Sequence, residues 1–465
     1  MSRLLILLSH SLHVRNFLAS GCLKAMADRG HEVTLLLPDG LMTEAGRHFD
    51  LSRWCGRVLA MEPYLGGSAR TRLRASLRTA SLVRRRGFKT YGHKILLNRA
   101  LGFRLQVAFY QALERRLRRG WTLEELARRI EALIPPRQSA VALLDELRPD
   151  LFFCPTLVHE GADVELLKAA RLRGVPTAAY VAGWDTLTSK GFFLLPPDYL
   201  LVWGEQSVRH AVEHHGFARE RVIATGAPHL DVYGPGFPVE PREEFLGRRG
   251  IDPAKRVILF AGTTISYWED EPLQLRSLSE AVASGELKDC VVWYRPHPRR
   301  AYRDVEPLRD LPGVYVDDQV IRQKTTGAAS YSTRPEDLLH YRSLMDASEG
   351  LITAFSTMII EAALLGKPSL VVGFGRSDGS HARLIEHSKY EHSDEVVNKT
   401  PGVTLCRSLD ELKQGVQRIF AGELAPLAGV LRKRAGQIAN NLDGRGTERI
   451  VATLERLAAS RGTGQ

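Results

Sequence analysis

The sequence predicts an α/β protein made of two doubly wound domains with parallel sheets. The chain has 465 residues, more than one ordinary core accommodates, and 44% of them are hydrophobic against 25% charged, as in globular proteins. Short apolar runs that end in polar or glycine-rich turns alternate with helix-periodic segments along most of its length. That alternation stops once, in the Pro- and Gly-rich stretch "YGPGFPVEPREEF" at 233–245, and then restarts. The expected domains are 1–235 and 236–465, with a ligand cleft between them.

The first domain opens with "LLILLS" as a buried strand, "HVRNFLASGCLKAMADRG" as a helix closing on Gly30, and "HEVTLLLP" as the next strand. Such a βαβ unit is right-handed and carries its functional loops at the carboxyl edge of the sheet. The strands "LRPDLFFCPT", "VPTAAYVAGWD", "PDYLLVWGE" and "RVIATGAP" follow, with helices at "GADVELLKAARLRG" and "EQSVRHAVEHHG". In the second domain the strands are "KRVILFAGTT", "DCVVWYRPHP", "GVYVDD", "EGLITAFST" and "PSLVVGFG". Helices fit "EPLQLRSLSEAVASG", "RPEDLLHYRSLMDAS" and "STMIIEAALLG", and the last stretch of chain reads mostly helical, as part of the second domain.

The initial apolar run, Leu4 to Leu8, is too short for a secretory signal, and no stretch approaches the ~20 apolar residues of a membrane span. The five cysteines (Cys22, Cys55, Cys154, Cys290, Cys406) are scattered without metal or redox spacing, which fits a reducing compartment. A cytoplasmic location is expected.

Net charge is +11, yet residues 66–131 alone hold seventeen Lys and Arg against four Glu. Basicity therefore belongs to an insertion at about 66–136. Within it "RTRLRASLRTASLVRRRGFK" interleaves Leu and Val with Arg, the pattern of an amphipathic helix on an anionic membrane surface. Residues 66–119 are expected to make that contact. Nucleic acid is not expected, since no recognition module accompanies the charge.

Three turns of the second domain suggest an anion site. In "TAFSTMIIEAALLGKP" Ser356 and Thr357 stand where a helix begins, and Glu361 lies one helical turn on, within reach of sugar hydroxyls. In "YRPHPRR" Arg295 and His297 follow a strand, and the flanking prolines fix the imidazole at the sheet edge. In "FAGTT" Gly262, Thr263 and Thr264 offer backbone and hydroxyl donors. Neither the P-loop nor the dinucleotide glycine pattern is present. In the first domain "GWDTLTSKG" supplies Asp185 as candidate general base and Lys190 as its charge partner, with His13 of the first strand–helix loop as the rival base.

These stretches, with "VWGEQSVRHAVEHHGFARERVIATGAPHLDVY" and "DGRGTERI", resemble GT-B glycosyltransferases over roughly residues 180 to 450. Within them the resemblance is to the group of CDP-glycerol glycerophosphotransferase-like and bacterial surface-polysaccharide transferases. It implies two Rossmann-like domains facing a central cleft. A nucleotide-sugar or CDP-polyol donor would sit in the second, with His297 on the donor phosphate, Ser356 and Thr357 beside it, Glu361 near ribose or sugar, and Gly262–Thr264 lining the pocket. It also implies catalysis without metal or other cofactor. Taken with the basic insertion, which lies outside the resemblance, the expectation is a lipid-linked or polysaccharide acceptor and work at the inner membrane face. Non-hydrolysing UDP-sugar 2-epimerases share the fold and are the alternative enzyme. A non-catalytic nucleotide-sugar-binding scaffold on the membrane is the alternative outside catalysis.

Overall fold

Strand β1 (Arg3–Leu7) is inaccessible on both faces from Leu4 onward, so its run of Leu and Ile needs no polar alternation. The computed structural model describes residues 1–460 except 66, 86, 99, 118–119, 157–160, 264–267, 269, 299, 301 and 318–333. Around β1 the first unit arranges β2 (Glu32–Leu37), β3 (Arg57–Ala60), β4 (Leu151–Thr156), β5 (Thr177–Val181), β6 (Tyr199–Val202) and β7 (Val222–Ala224). Among the described residues these form a seven-stranded sheet in the order β3-β2-β1-β4-β5-β6-β7, parallel throughout. The chain winds outward from β1 to β3 and then returns past β1 to β4. The reversal puts a topological switch point between β1 and β4, the usual place for ligands in such sheets.

The second unit repeats the plan with β8 (Arg256–Ala261), β9 (Cys290–Arg295), β10 (Val314–Val316), β11 (Gly350–Thr353), β12 (Ser369–Val372) and β13 (Val403–Cys406). Its described strands run β10-β9-β8-β11-β12-β13, all parallel, with the switch point between β8 and β11. Each sheet has its own core, Leu5, Phe152, Ala179 and Leu200 in the first and Ile258, Val292, Ile352 and Leu370 in the second. Burial of each Leu, Ile, Val or Phe among them contributes about 1.5–3 kcal/mol. The expected two-domain α/β architecture is what the chain adopts.

Three expectations shift. The boundary falls at Pro228/His229 rather than 235/236, and the C-terminal helix Gly446–Ala459 belongs to the first unit. Glu455 fixes it there, accepting from Arg29 Nη1 at 2.9 Å and lying 2.8 Å from His31 Nε2. The first helix is not continuous. It is a turn at Ser11–Val14, a π-helical turn at Arg15–Ala19 and a helix at Cys22–Asp28, divided by Gly21 at φ +79°.

The insertion is helical as expected (Ser68–Arg84, Lys89–Leu97, Leu101–Arg116, Leu123–Leu133), but its arginines are not all at the surface. Arg74 is buried, forking onto Glu131 (Nη2–Oε1 2.7 Å, Nε–Oε2 3.1 Å) and reaching Glu165 at 3.0 Å. Lys168 closes the cluster 2.8 Å from Glu131. Arg85 pairs with Glu124 and donates to the His214 carbonyl at 2.6 Å. These residues anchor the insertion to its unit, where Leu77 and Ala127 pack on Phe192 and Leu194. Arg74 of helix Ser68–Arg84, and Arg85 just beyond it, thus turn inward, while Arg72, Arg78 and Arg84 stay exposed.

Candidate functional site

In the second unit β8 is flanked by β9 and β11, so the turns that follow these three strands are neighbours at one carboxyl edge. Direct contacts join them. Gly262 N–H donates to the Arg295 carbonyl at 2.9 Å, and Thr353 Oγ1 donates to the Ala261 carbonyl at 2.8 Å. Arg295 Nη1 lies 2.9 Å from Met358 Sδ, at the start of helix Met358–Leu364. His297 is two residues beyond Arg295, and Ser356 and Thr357 immediately precede Met358. The structure therefore brings the "RPHP", "FSTM" and "FAGT" segments together; Thr264 lies outside the described residues.

Ser356, Thr357 and His297 are half-buried at this edge. Ser356 Oγ accepts from the Met358 N–H at 3.3 Å, a local turn bond just ahead of the short helix, whose N-cap residue is Thr357. Arg295 differs from the expected phosphate clamp. Its guanidinium stacks on the Tyr341 ring, 4.0 Å from the centroid, as well as touching Met358. Burial opposes the charge, but Tyr341, Glu361 and Asp317 hold it more firmly protonated than usual. Glu361 accepts from Tyr233 Oη at 2.5 Å and is half-buried.

The turn after β8 also departs from expectation. The Thr263 N–H donates to Glu271 Oε2 at 2.9 Å, so neither backbone donor of Gly262–Thr263 is left for a phosphate. Glu271 is wholly buried, accepts from Tyr294 Oη at 2.5 Å and has Arg300 Nε at 2.9 Å. Burial pushes its carboxyl above the usual range, against Arg300, Tyr294 and Thr263. Sequence reasoning missed Glu271, Tyr294, Arg300, Tyr233 and Tyr341. The "EP" at 271–272 reads as an ordinary acidic helix start, and Tyr233 sits in what reads as a linker.

In the first unit His13 follows β1 and Asp185 follows β5, with β4 between those strands. His13 is fully buried, its Nδ1 is 3.4 Å from Ser9 Oγ, and its Nε2 has no partner among the described residues. Burial, with His10 adding to it, pushes the imidazole down to about 3. The adjoining π-helical turn Arg15–Ala19 is a rare conformation that concentrates at functional sites. Asp185 is half-buried and accepts from Ser189 Oγ at 2.8 Å, while its carbonyl accepts from Thr188 Oγ1 at 3.2 Å.

Lys190 lies exposed, but a second lysine stands closer in. Lys94, from insertion helix Lys89–Leu97, donates to the Ser189 carbonyl. Burial and Lys190 lower its amine to about 8, with Asp185 opposing. Tyr91 of the same helix receives the Gly191 N–H at 2.8 Å. The basic insertion thus forms one wall of the "GWDTLTSKG" loop, which no local sequence signal announces.

Comparison with known proteins fits this geometry. Residues 195–385 match the family model of CDP-glycerol:poly(glycerophosphate) glycerophosphotransferase. A glycosyltransferase from Rickettsia africae is similar at 11% identity, with TM-score 0.52 over 100% of this chain and 99% of that one. The calicheamicin glycosyltransferase CalG4 is similar at 13% identity and TM-score 0.51, covering 99% of each chain. The fold is GT-B. A UDP-GlcNAc 2-epimerase from Methanocaldococcus jannaschii shares it at 12% identity and TM-score 0.51, over 98% of this chain and 99% of that one. No curated protein matches the chain. The matched family segment contains Gly262, Arg295, His297, Ser356, Thr357 and Glu361 of this GT-B chain and stops short of Asp185, His13 and the insertion.

Proposed function

We propose that this GT-B protein transfers a glycosyl or polyol-phosphate group from a nucleotide-activated donor to a hydroxyl of a lipid-linked or polymeric acceptor in cell-surface polysaccharide or glycolipid assembly. The observation that carries the reading is the abutment of the turns after β9, β8 and β11 inside the segment that matches the glycerophosphotransferase model. His297 and the hydroxyls of Ser356 and Thr357 face the developing negative charge of the leaving nucleotide phosphate. Glu361, oriented by Tyr233, accepts from a ribose or sugar hydroxyl. The charge on the leaving group is met by these side chains, without a bound metal.

In the other unit Asp185 removes the acceptor proton as the acceptor oxygen bonds to the transferred carbon or phosphorus. The donor bond to the nucleotide phosphate breaks in the same event, and the pair of electrons leaves with the nucleotide. Asp185 ranks above His13 because an imidazole held down to about 3 is a weak base at neutral pH. Lys94 joins Lys190 as a cation beside that carboxylate. The site of work is the cytoplasmic face of the membrane; no helix among the described residues is long and apolar enough to cross it.

Incubation with CDP-glycerol and a panel of UDP-, GDP- and CMP-sugars, with and without acceptor, tests the reading. Nucleotide release that requires acceptor and is lost in His297→Ala supports it. Epimerisation at C2 without transfer would assign the chain to the epimerase chemistry instead. Donor binding with no turnover on any acceptor would leave a scaffold.

A further inference from the structure

Helix Leu101–Arg116 of the insertion is apolar on two opposite faces. One face, with Phe103, Val107, Tyr110 and Leu113, packs with Ala80, Val83 and Leu123 in the insertion's own core. On the other, Leu101, Leu105 and Phe109 recur every fourth residue and so lie in one stripe. That stripe is open, with Leu101 74% exposed and Leu105 and Phe109 each 62% exposed. Leu96, at the end of the preceding helix, is 77% exposed. A helix with apolar residues all round is normally enclosed, so the bare stripe calls for something to cover it.

Its charge says what. Residues 89–116 hold six Lys and Arg (Lys89, Lys94, Arg99, Arg104, Arg115, Arg116) against one acid, Glu114. Arg104 and Arg115 are exposed and by helical period border the stripe. An apolar strip edged by cations is the signature of a helix lying in the plane of an anionic bilayer, with the apolar side chains in the acyl boundary and the guanidinium groups at the phosphates. A second copy of the chain would bring the same cations against each other.

We infer that helix Leu101–Arg116, not the arginine-rich helix Ser68–Arg84, is the face by which the protein docks on an anionic lipid surface. The inference rests on, and narrows, the proposed membrane location. It reassigns the contact because the apolar side of the earlier helix, Leu77, Ala80 and Val83, is buried within the protein. Its exposed Arg72, Arg78 and Arg84 therefore have no open apolar strip beside them, and Arg74 and Arg85 are occupied by Glu131, Glu165 and Glu124.

The test is flotation of the full chain with vesicles of equal parts phosphatidylglycerol and phosphatidylcholine, and with phosphatidylcholine alone. The parent is expected to float with the anionic vesicles only. Leu105→Ser with Phe109→Ser should weaken partition by at least about tenfold, because two large side chains leave the acyl boundary. Arg72→Ala with Arg78→Ala, both exposed on the earlier helix, should keep partition within about threefold. Unchanged flotation of the Leu105/Phe109 variant, or equal flotation of the parent on neutral vesicles, overturns the proposal. So does a parent dimer in sedimentation that the same variant converts to monomer. Donor-dependent nucleotide release in solution is scored separately. Its loss with intact flotation removes the transferase reading and leaves the docking face; the reverse result does the opposite.

Discussion

Glu271 occupies the space that a side chain at position 262 would need. A Cβ on Gly262 would stand 2.5 Å from Glu271 Oε1, and the same carboxylate receives the Thr263 N–H at 2.9 Å. The glycine after β8 is therefore required by a buried acid within the unit, which holds the turn in shape beside Arg295 and Tyr294. Gly262→Ala should push this carboxylate away from Thr263, Tyr294 and Arg300 and lower stability by about 1–3 kcal/mol. The measurement is the chemical-denaturation midpoint. A variant as stable as the parent but weaker for nucleotide would instead restore a direct phosphate contact at this glycine.

The Tyr233–Glu361 hydrogen bond predicts a graded loss of donor recognition. Glu361→Gln removes the charge and, at roughly 1.5–3 kcal/mol for a charge-assisted hydrogen bond, should raise the KM for donor by about tenfold or more. Tyr233→Phe leaves the carboxylate but not its restraint, so its effect should have the same direction and be smaller. Donor titration of both variants checks this. A larger loss in Tyr233→Phe than in Glu361→Gln would mean that the phenol itself contacts the donor.

Both sheets were legible because their strands are buried on two faces, and runs such as "LLIL" and "VILFA" have no other use. The adjacency of the turns after β8, β9 and β11 was legible too, since doubly wound topology places neighbouring carboxyl ends side by side. What escaped were contacts between residues far apart in the chain. Nothing near Glu271 marks it as a buried brace, and nothing near Lys94 places it against Ser189. Helix Gly446–Ala459 has the pattern of any amphipathic helix, so its return to the first unit is read from distant contacts, such as Glu455 with Arg29 and His31 and Arg449 Nε with the Thr225 carbonyl. The arginines of the insertion misled in the opposite sense. Periodicity reveals an amphipathic helix but not whether carboxylates such as Glu131 and Glu165 wait beneath its charged face.

The buried His13 predicts how acid acts on the first unit. Its folded-state value is about 3, below the 6.5 of a free imidazole. Above 6.5 both states are neutral and its contribution to stability is complete. Below 6.5 the unfolded chain takes up a proton that the folded chain refuses until about 3, so stability falls across that interval. His13→Gln, which does not titrate, should give a shallower decline of denaturation midpoint between those limits. Equal slopes in parent and variant would show that the imidazole is protonated in the folded chain and is not held neutral by burial.

Lys94 predicts a slope of the same sign in the alkaline range, stability again rising with pH. Burial and Lys190 bring its amine from 10.5 to about 8, so below 8 it is charged in both states at a constant cost to folding. Between about 8 and 10.5 the folded chain has shed the proton that the unfolded chain keeps, and stability rises with pH. Relative to Lys94→Met, the parent should therefore gain denaturation midpoint across that window and show no relative trend below it. The same titration reaches the chemistry if the charged amine steadies the Asp185 carboxylate or an anionic acceptor in the "GWDTLTSKG" loop. Turnover should then fall on an alkaline limb near pH 8, and Lys94→Met should lack that limb while turning over more slowly at neutral pH. A limb that persists in Lys94→Met would locate the titrating group elsewhere and reduce Lys94 to an anchor of the insertion on Ser189.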